Sequence, residues 1–177
     1  MTAETPRLKA PPGTTDTHMH IYAPPGAYPI AAAAVGPKPE GDVAAYREIQ
    51  ARLGLARTVV VQPTHYGADN RCTLDAIARL PEARGVAVVE PDIDDAEFER
   101  LTEGGIRGVR FQMVPGGMTA WAETDRLAAS LARRRSAGRR HAVGCASGLG
   151  ARGGPAPQGP GRQPGHPLRL RLTGARP

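Results

Sequence analysis

Acidic residues are absent from the end of this chain. From Arg126 to Pro177 there is no Asp and no Glu, while those 52 residues hold 11 Arg and no Lys, a charge of +11. All 17 acids lie in residues 1–125, whose net charge is −5, so the overall +6 averages two unlike segments. Aromatic residues make up only 4% of the chain, and Tyr22, Tyr28, Tyr46, Tyr66, Phe98, Phe111 and Trp121 all precede the break. A segment with so few large apolar side chains cannot bury enough surface to offset the entropy of folding, so residues 132–177 read as a disordered tail. Ala, Arg, Gly and Pro supply 36 of the last 52 residues. Ala, Gly and Pro codons, and four of the six Arg codons, begin with two G or C bases, which is what a GC-rich message read out of frame would give. The rival reading is a basic arm that binds nucleic acid through its phosphates. The lack of Lys, Tyr and Phe removes the stacking such an arm uses and speaks against a nucleic-acid partner.

Other absences narrow the class further. The 2 cysteines, Cys72 and Cys145, lie on opposite sides of the break and make no disulfide framework. No run approaches the roughly 18 apolar residues of a membrane span. Met1 to Gly13 is polar and Pro-rich, without the apolar stretch of a signal peptide, so residues 1–13 are expected to be a flexible N-terminus. The expected setting is that of a soluble cytoplasmic protein with no membrane partner.

Residues 14–131 alternate strand and helix signals, which points to a parallel α/β sheet. Strands are expected at Thr14–Ile21, Thr58–Gln62, Gly85–Glu90 and Ile106–Met113, the second a β-branched run typical of a buried parallel strand. Asp42 is a fitting N-cap for a helix that sets Val43, Tyr46, Ile49 and Leu53 on one face and ends at Gly54. Asn70 can cap a second helix with Leu74 and Ile77 inward. Asp94 and Glu97 form a capping box before Phe98 and Leu101, and Gly104-Gly105 stops that helix. A fourth helix is expected near Thr119, carrying Trp121, Leu127 and Leu131. Four βα units make the N-terminal half of a (β/α)8 TIM barrel. A flavodoxin-like open sheet is the rival; the Pro-rich loop after the first strand has no phosphate-binding glycine pattern to support it.

Active residues of a barrel gather at the carboxyl ends of its strands. The first strand offers Asp16, His18 and His20, which alternation would place on one face, with Thr17, Met19 and Ile21 on the other. Imidazole can ligate a metal, donate a hydrogen bond or shuttle protons. The second strand is followed by Gln62, Thr64, His65 and Tyr66, the third by Glu90 and Asp92. His65, Tyr66 and Asn70 read as loop and cap residues. Arg110, at the end of the fourth strand, has the forked donors that suit a substrate carboxylate, unless it pairs with Glu90 or Asp92. Thr64 could donate a hydroxyl hydrogen bond or shape a turn. Arg107 lies too near its strand's start to be assigned to the site.

These residues resemble the amidohydrolase superfamily, in the branch of 2-pyrone-4,6-dicarboxylate hydrolases and galactarolactone isomerases. The matching stretches are Asp16-Thr-His-Met-His20, Arg52-Leu-Gly-Leu-Ala-Arg57, Val60-Val-Gln62, Tyr66-Gly-Ala-Asp-Asn70, Thr73-Leu-Asp-Ala-Ile-Ala-Arg79, Ala83-Arg-Gly-Val-Ala-Val-Val-Glu-Pro91 and Gly104-Gly-Ile-Arg-Gly-Val-Arg-Phe111. The resemblance implies a hydrolase acting on a small carboxylated lactone. It makes His18 and His20 the catalytic pair that polarises the lactone carbonyl, with Thr64 and Arg110 binding substrate. No cofactor is implied in this branch; in the wider superfamily the same two histidines bind a divalent metal such as zinc. A later His and the Asp of the eighth strand have no counterpart, because no Asp follows Asp125. The place of a second substrate-binding Arg falls at Pro115-Gly116-Gly117, which is more like the isomerase, whereas the intact His18–His20 pair is like the hydrolase. The chain is therefore expected to be a truncated lactonase, inactive as written. The alternatives are a sugar-acid lactone isomerase, a non-catalytic remnant, and a protein that binds nucleic acid through its basic tail.

Overall fold

The computed structural model describes residues 6, 9–32, 34, 36–111, 125–127, 129 and 130. Its strands are β1 (Thr15–Met19), β2 (Arg57–Val61), β3 (Ala83–Ala87) and β4 (Ile106–Val109). Its helices are α1 (Val43–Leu53), α2 (Arg71–Arg79) and α3 (Asp95–Glu103), with a 3-10 turn at Thr64–Tyr66. The four strands form one parallel sheet in the order β1-β2-β3-β4. Sequential order is that of a barrel half; a doubly wound flavodoxin-like sheet places its second strand outside the first, so the rival topology is excluded. The strands are shorter than expected at their carboxyl ends. Gln112 and Met113 lie outside the described residues, as do Thr119, Trp121, Leu131, Cys145 and the tail from residue 132. Among the described residues no helix is long and apolar enough to cross a membrane.

Local chemistry explains the elements. The Asp42 side chain accepts from the Ala45 amide at 2.9 Å and starts α1, and Gly54 ends it at φ 75°, where a side chain would be strained. The inward face of α1 is Val43, Tyr46 and Gln50. Ile49 is 47% exposed, contrary to the expected spacing; the i, i+3, i+7 choice Val43–Tyr46–Gln50 holds the sheet, and Ile49 falls beside that stripe. Asp94 caps α3 by accepting from the Glu97 amide at 2.7 Å, but Glu97 does not reach back; its carboxylate holds Arg100 at 2.6 Å instead. Half of the capping box therefore forms.

Asn70 precedes α2 but makes no side-chain cap. Its amide donates to the Ala68 and Val88 carbonyls at 2.9 and 2.7 Å, and its oxygen accepts from the Val88 amide at 3.1 Å. The side chain thus pairs with β3's continuation as a neighbouring strand would. Gly85 allows the sheet to meet α2: a Cβ there would lie 2.5 Å from Ile77 Cδ1 and 2.6 Å from Ile106 Cδ1. The core between sheet and helices holds Val60, Ala76, Ile77, Ala87, Phe98, Leu101, Ile106 and Phe111, joined by Leu127.

Candidate functional site

Alternation along β1 does not survive into the structure. The register advances three positions along β1, from Asp16 to Met19, against two along β2, from Thr58 to Val60. The extra residue is a bulge, and a bulge re-aims side chains. Asp16 consequently leaves the histidine face. Its carboxylate accepts from the Tyr46 hydroxyl of α1 at 3.0 Å and from the His18 amide at 3.1 Å.

His18 and His20 remain together, with ring centroids 5.1 Å apart at 78°. His20 Nδ1 lies 2.7 Å from the Val61 carbonyl oxygen. A carbonyl only accepts, so Nδ1 carries the proton and the neutral ring presents the lone pair of Nε2. Arg110 Nη1 donates to the next carbonyl, that of Gln62, at 3.0 Å. Two successive carbonyls at the end of β2 therefore hold both groups. Among the described residues Arg110 forms no ion pair with Glu90 or Asp92. Those two acids line a separate cavity of about 270 Å³ with Asn70, Val88 and Asp94.

Burial is the main cause that holds the His20 imidazole below its ordinary pKa; the Val61 carbonyl opposes the shift, while Arg110, His18 and His65 add to it. Burial likewise lowers Arg110, and it raises the Tyr22 phenol, which Arg110 partly offsets. For His20 the folded chain binds its proton less readily than the unfolded chain. The stabilisation is thus complete above about pH 6.5 and is lost as pH falls through the lowered folded value. His20→Gln is expected to flatten the decline in the urea midpoint as the pH falls below about 6.5. An unchanged slope in that window would count against this assignment.

The loop after β1 is anchored over these groups. Tyr22 donates its amide to the Gly41 carbonyl at 2.9 Å, and Lys38 Nζ bonds the Ala23 carbonyl at 2.8 Å while lying 5.9 Å over the Tyr22 ring. Tyr28 hydrogen-bonds Asp75, which is the main cause of a phenol pKa pushed up to about 12. Beneath the loop, the Tyr66 hydroxyl accepts from the Ala23 amide at 3.0 Å.

Thr64 opens the 3-10 turn, half-buried, and its carbonyl receives the Gly67 amide at 3.1 Å. Gln62 is fully buried and turned away from the mouth: its amide donates to the Gly67 and Asp69 carbonyls at 2.9 Å each, and its oxygen accepts from Thr73. Tyr22 and His65 were not singled out by sequence as site residues. Their rings meet edge to face at 5.6 Å, and Tyr22 stands 6.3 Å from His20. The only signal that could have found them is proximity to the His pair and to the end of β2.

As metal ligands the described residues are poor. No group of three His, Cys, Asp or Glu among them could hold an ion, and the Arg110 charge acts on His20. His18 and His20 supply two nitrogens and no more, so the described residues do not by themselves fit a divalent cation. The arrangement can offer a hydrogen-bonding imidazole pair to a carbonyl and a guanidinium to a carboxylate.

The chain is similar to known proteins in sequence and in fold. The sequence model described as amidohydrolase matches residues 15–151. A 2-pyrone-4,6-dicarboxylate hydrolase of Comamonas testosteroni is 41% identical over 110 residues, covering 62% of this chain and 36% of that protein. A 4-sulfomuconolactone hydrolase of Hydrogenophaga intermedia is 35% identical over 111 residues, with the same coverages of 62% and 36%. The chain spans about a third of the length of these curated relatives. An apo crystal structure from Agrobacterium tumefaciens superposes with a TM-score of 0.62 at 30% identity, covering 78% of this chain and 50% of that one. A structure from Acinetobacter baumannii, described as a probable 2-pyrone-4,6-dicarboxylic acid hydrolase with citric acid bound, gives 0.61 at 26% identity, covering 74% and 49%.

Proposed function

The chain belongs to the amidohydrolase family, and from that premise we propose that His18, His20 and Arg110 form the carbonyl- and carboxylate-binding side of a lactone hydrolase site. The substrate class is a small carboxylated lactone of the 2-pyrone-4,6-dicarboxylate kind. The observation that carries this reading is the pair of contacts at the end of β2. Val61 orients His20 and Gln62 orients Arg110 through successive carbonyls, so an electrophile and an anion receptor share one rim.

Each residue has a distinct task. Arg110 receives a carboxylate through its remaining guanidinium donors. His18, exposed and free to take either tautomer, can donate to the lactone carbonyl oxygen. His20 accepts while neutral and donates from Nε2 only as imidazolium; a bound anion favours that charged form by offsetting the neighbouring Arg110. Oxygen that gains negative charge during attack would then face prepared donors. Thr64, at the same turn, adds a hydroxyl within the substrate-binding set. A divalent metal is often used in this family; the described residues offer one only His18 and His20, and no step here runs through it.

Water attack also needs a base, and general-base assistance is commonly worth about 10²–10⁴-fold. Among the described residues no carboxylate faces the pair: Asp16 is held by Tyr46, and Glu90 and Asp92 border the other cavity. The 177-residue chain is therefore expected to bind the dicarboxylate lactone without appreciable turnover. Arg110→Met should weaken that binding by roughly 30-fold, the worth of one charge-assisted contact of about 2 kcal/mol. Calorimetric titration and an absorbance assay of ring opening test both points. Unchanged affinity in the Arg110 variant would sink the carboxylate assignment; turnover abolished by His20→Ala would place the base within this chain. The isomerase reading rested on Pro115-Gly116-Gly117, which lie outside the described residues.

A further inference from the structure

Among the described residues, His65 is a buried imidazole whose ring nitrogens have no hydrogen-bond partner. It is 7% exposed, and neither Nδ1 nor Nε2 has a hydrogen bond within the described structure. Buried polar groups are nearly always satisfied, so such an orphan calls for a cause. The backbone does not force it: the His65 carbonyl receives the Ala31 amide at 2.8 Å and anchors the loop whatever side chain stands there. Core packing alone would be served by an apolar ring of similar size. The imidazole instead lies edge-on behind Tyr22, at 5.6 Å and 83°. Tyr22 in turn stands beside His20 and borders a cavity of about 560 Å³ with Lys38 and Asp42. Arg110 is near enough for its charge to act on both Tyr22 and His20, and His65 acts on His20. The orphan nitrogens thus sit one ring behind the proposed substrate rim.

We propose that His65 is a specificity-determining residue, which hydrogen-bonds a second anionic oxygen of the ligand when the Tyr22 ring turns aside. This rests on the reading of the site as a receptor for a carboxylated lactone. A neutral imidazole has one donor and one acceptor, so His65 offers a single donor to a carboxylate whose partner carboxylate is on Arg110. The ligand class it selects is a planar dicarboxylate over a monocarboxylate. Tyr22 supplies the gate because it is only half-buried, and rotation about its first side-chain torsion uncovers the imidazole without moving the loop, which Lys38 and the Gly41 carbonyl hold.

Isophthalate, whose two carboxylates are spaced across a six-membered ring, serves as a non-hydrolysable probe, and benzoate as its single-carboxylate control. In the full chain, long-range proton–nitrogen NMR should show the His65 ring nitrogens shifting with isophthalate and staying put with benzoate. His65→Phe keeps the edge-to-face contact with Tyr22 and should lower isophthalate affinity about tenfold while leaving benzoate affinity unchanged. His65→Gln, which restores a donor, should recover part of the loss. Shifts at His20 with none at His65 would overturn this proposal and leave the lactone site standing. Absence of any shift at His18, His20 and His65 would overturn both.

Discussion

Gln62→Leu is expected to lower the unfolding free energy by roughly 2–6 kcal/mol, because the buried Thr73 hydroxyl loses its partner at about 1–3 kcal/mol and two part-buried carbonyls lose theirs at about 0.5–1.5 kcal/mol each. The groups are the Gly67 and Asp69 carbonyls and the Thr73 hydroxyl. Leucine matches the volume closely and leaves no cavity, so the loss would be electrostatic rather than one of packing. The three partners lie on the turn after β2 and on α2, and Gln62 is what fastens that turn against the sheet. Thr64 and His65 ride on the same turn. Urea unfolding followed by circular dichroism measures the effect, and a change below about 1 kcal/mol would show that water or a relaxed loop replaces the amide.

Leu127→Ala is expected to cost about 2–5 kcal/mol, the range for removing a fully buried leucine. Leu127 has 0% exposure and belongs to the same core cluster as Phe111, Phe98 and Ile106. Residues 125–127, 129 and 130 are helical, which agrees with the expected fourth helix at this one position. The substitution asks whether the chain after β4 packs on the sheet as a fourth crossover element does in a barrel. Thermal unfolding of the variant measures the effect; a midpoint within a degree or two of the parent would mean that the helix does not contribute to the core.

The barrel half was legible because its signals are periodic and local. The β-branched run at Thr58–Gln62, the Asp42 and Asp94 caps and the glycines after α1 and α3 all act within a few residues of themselves. What stayed hidden depends on register. The bulge between Asp16 and Met19 arises from pairing with β2, so no count along β1 reveals that Asp16 departs from the His18–His20 face. Asn70 and Gln62 read as a cap and a site residue because their type is right for both. Only the fold shows that each satisfies backbone groups on another segment. The choice of Gln50 over Ile49 on α1 has the same origin, since the helix rotates to present Tyr46 to Asp16 and Thr58. Within the site, the residue types at strand ends pointed to His18, His20 and Arg110, while Tyr22 and His65 emerge from the folded loop.

The three bonds of Asn70 carry a consequence for local opening. Val88 lies past the end of β3, where an amide would ordinarily exchange with solvent on the timescale of fraying. Because the side chain before α2 holds that amide and its carbonyl together, the end of β3 and the start of α2 cannot open independently. They form one cooperative unit, and the slow exchange of the Val88 amide reports on both.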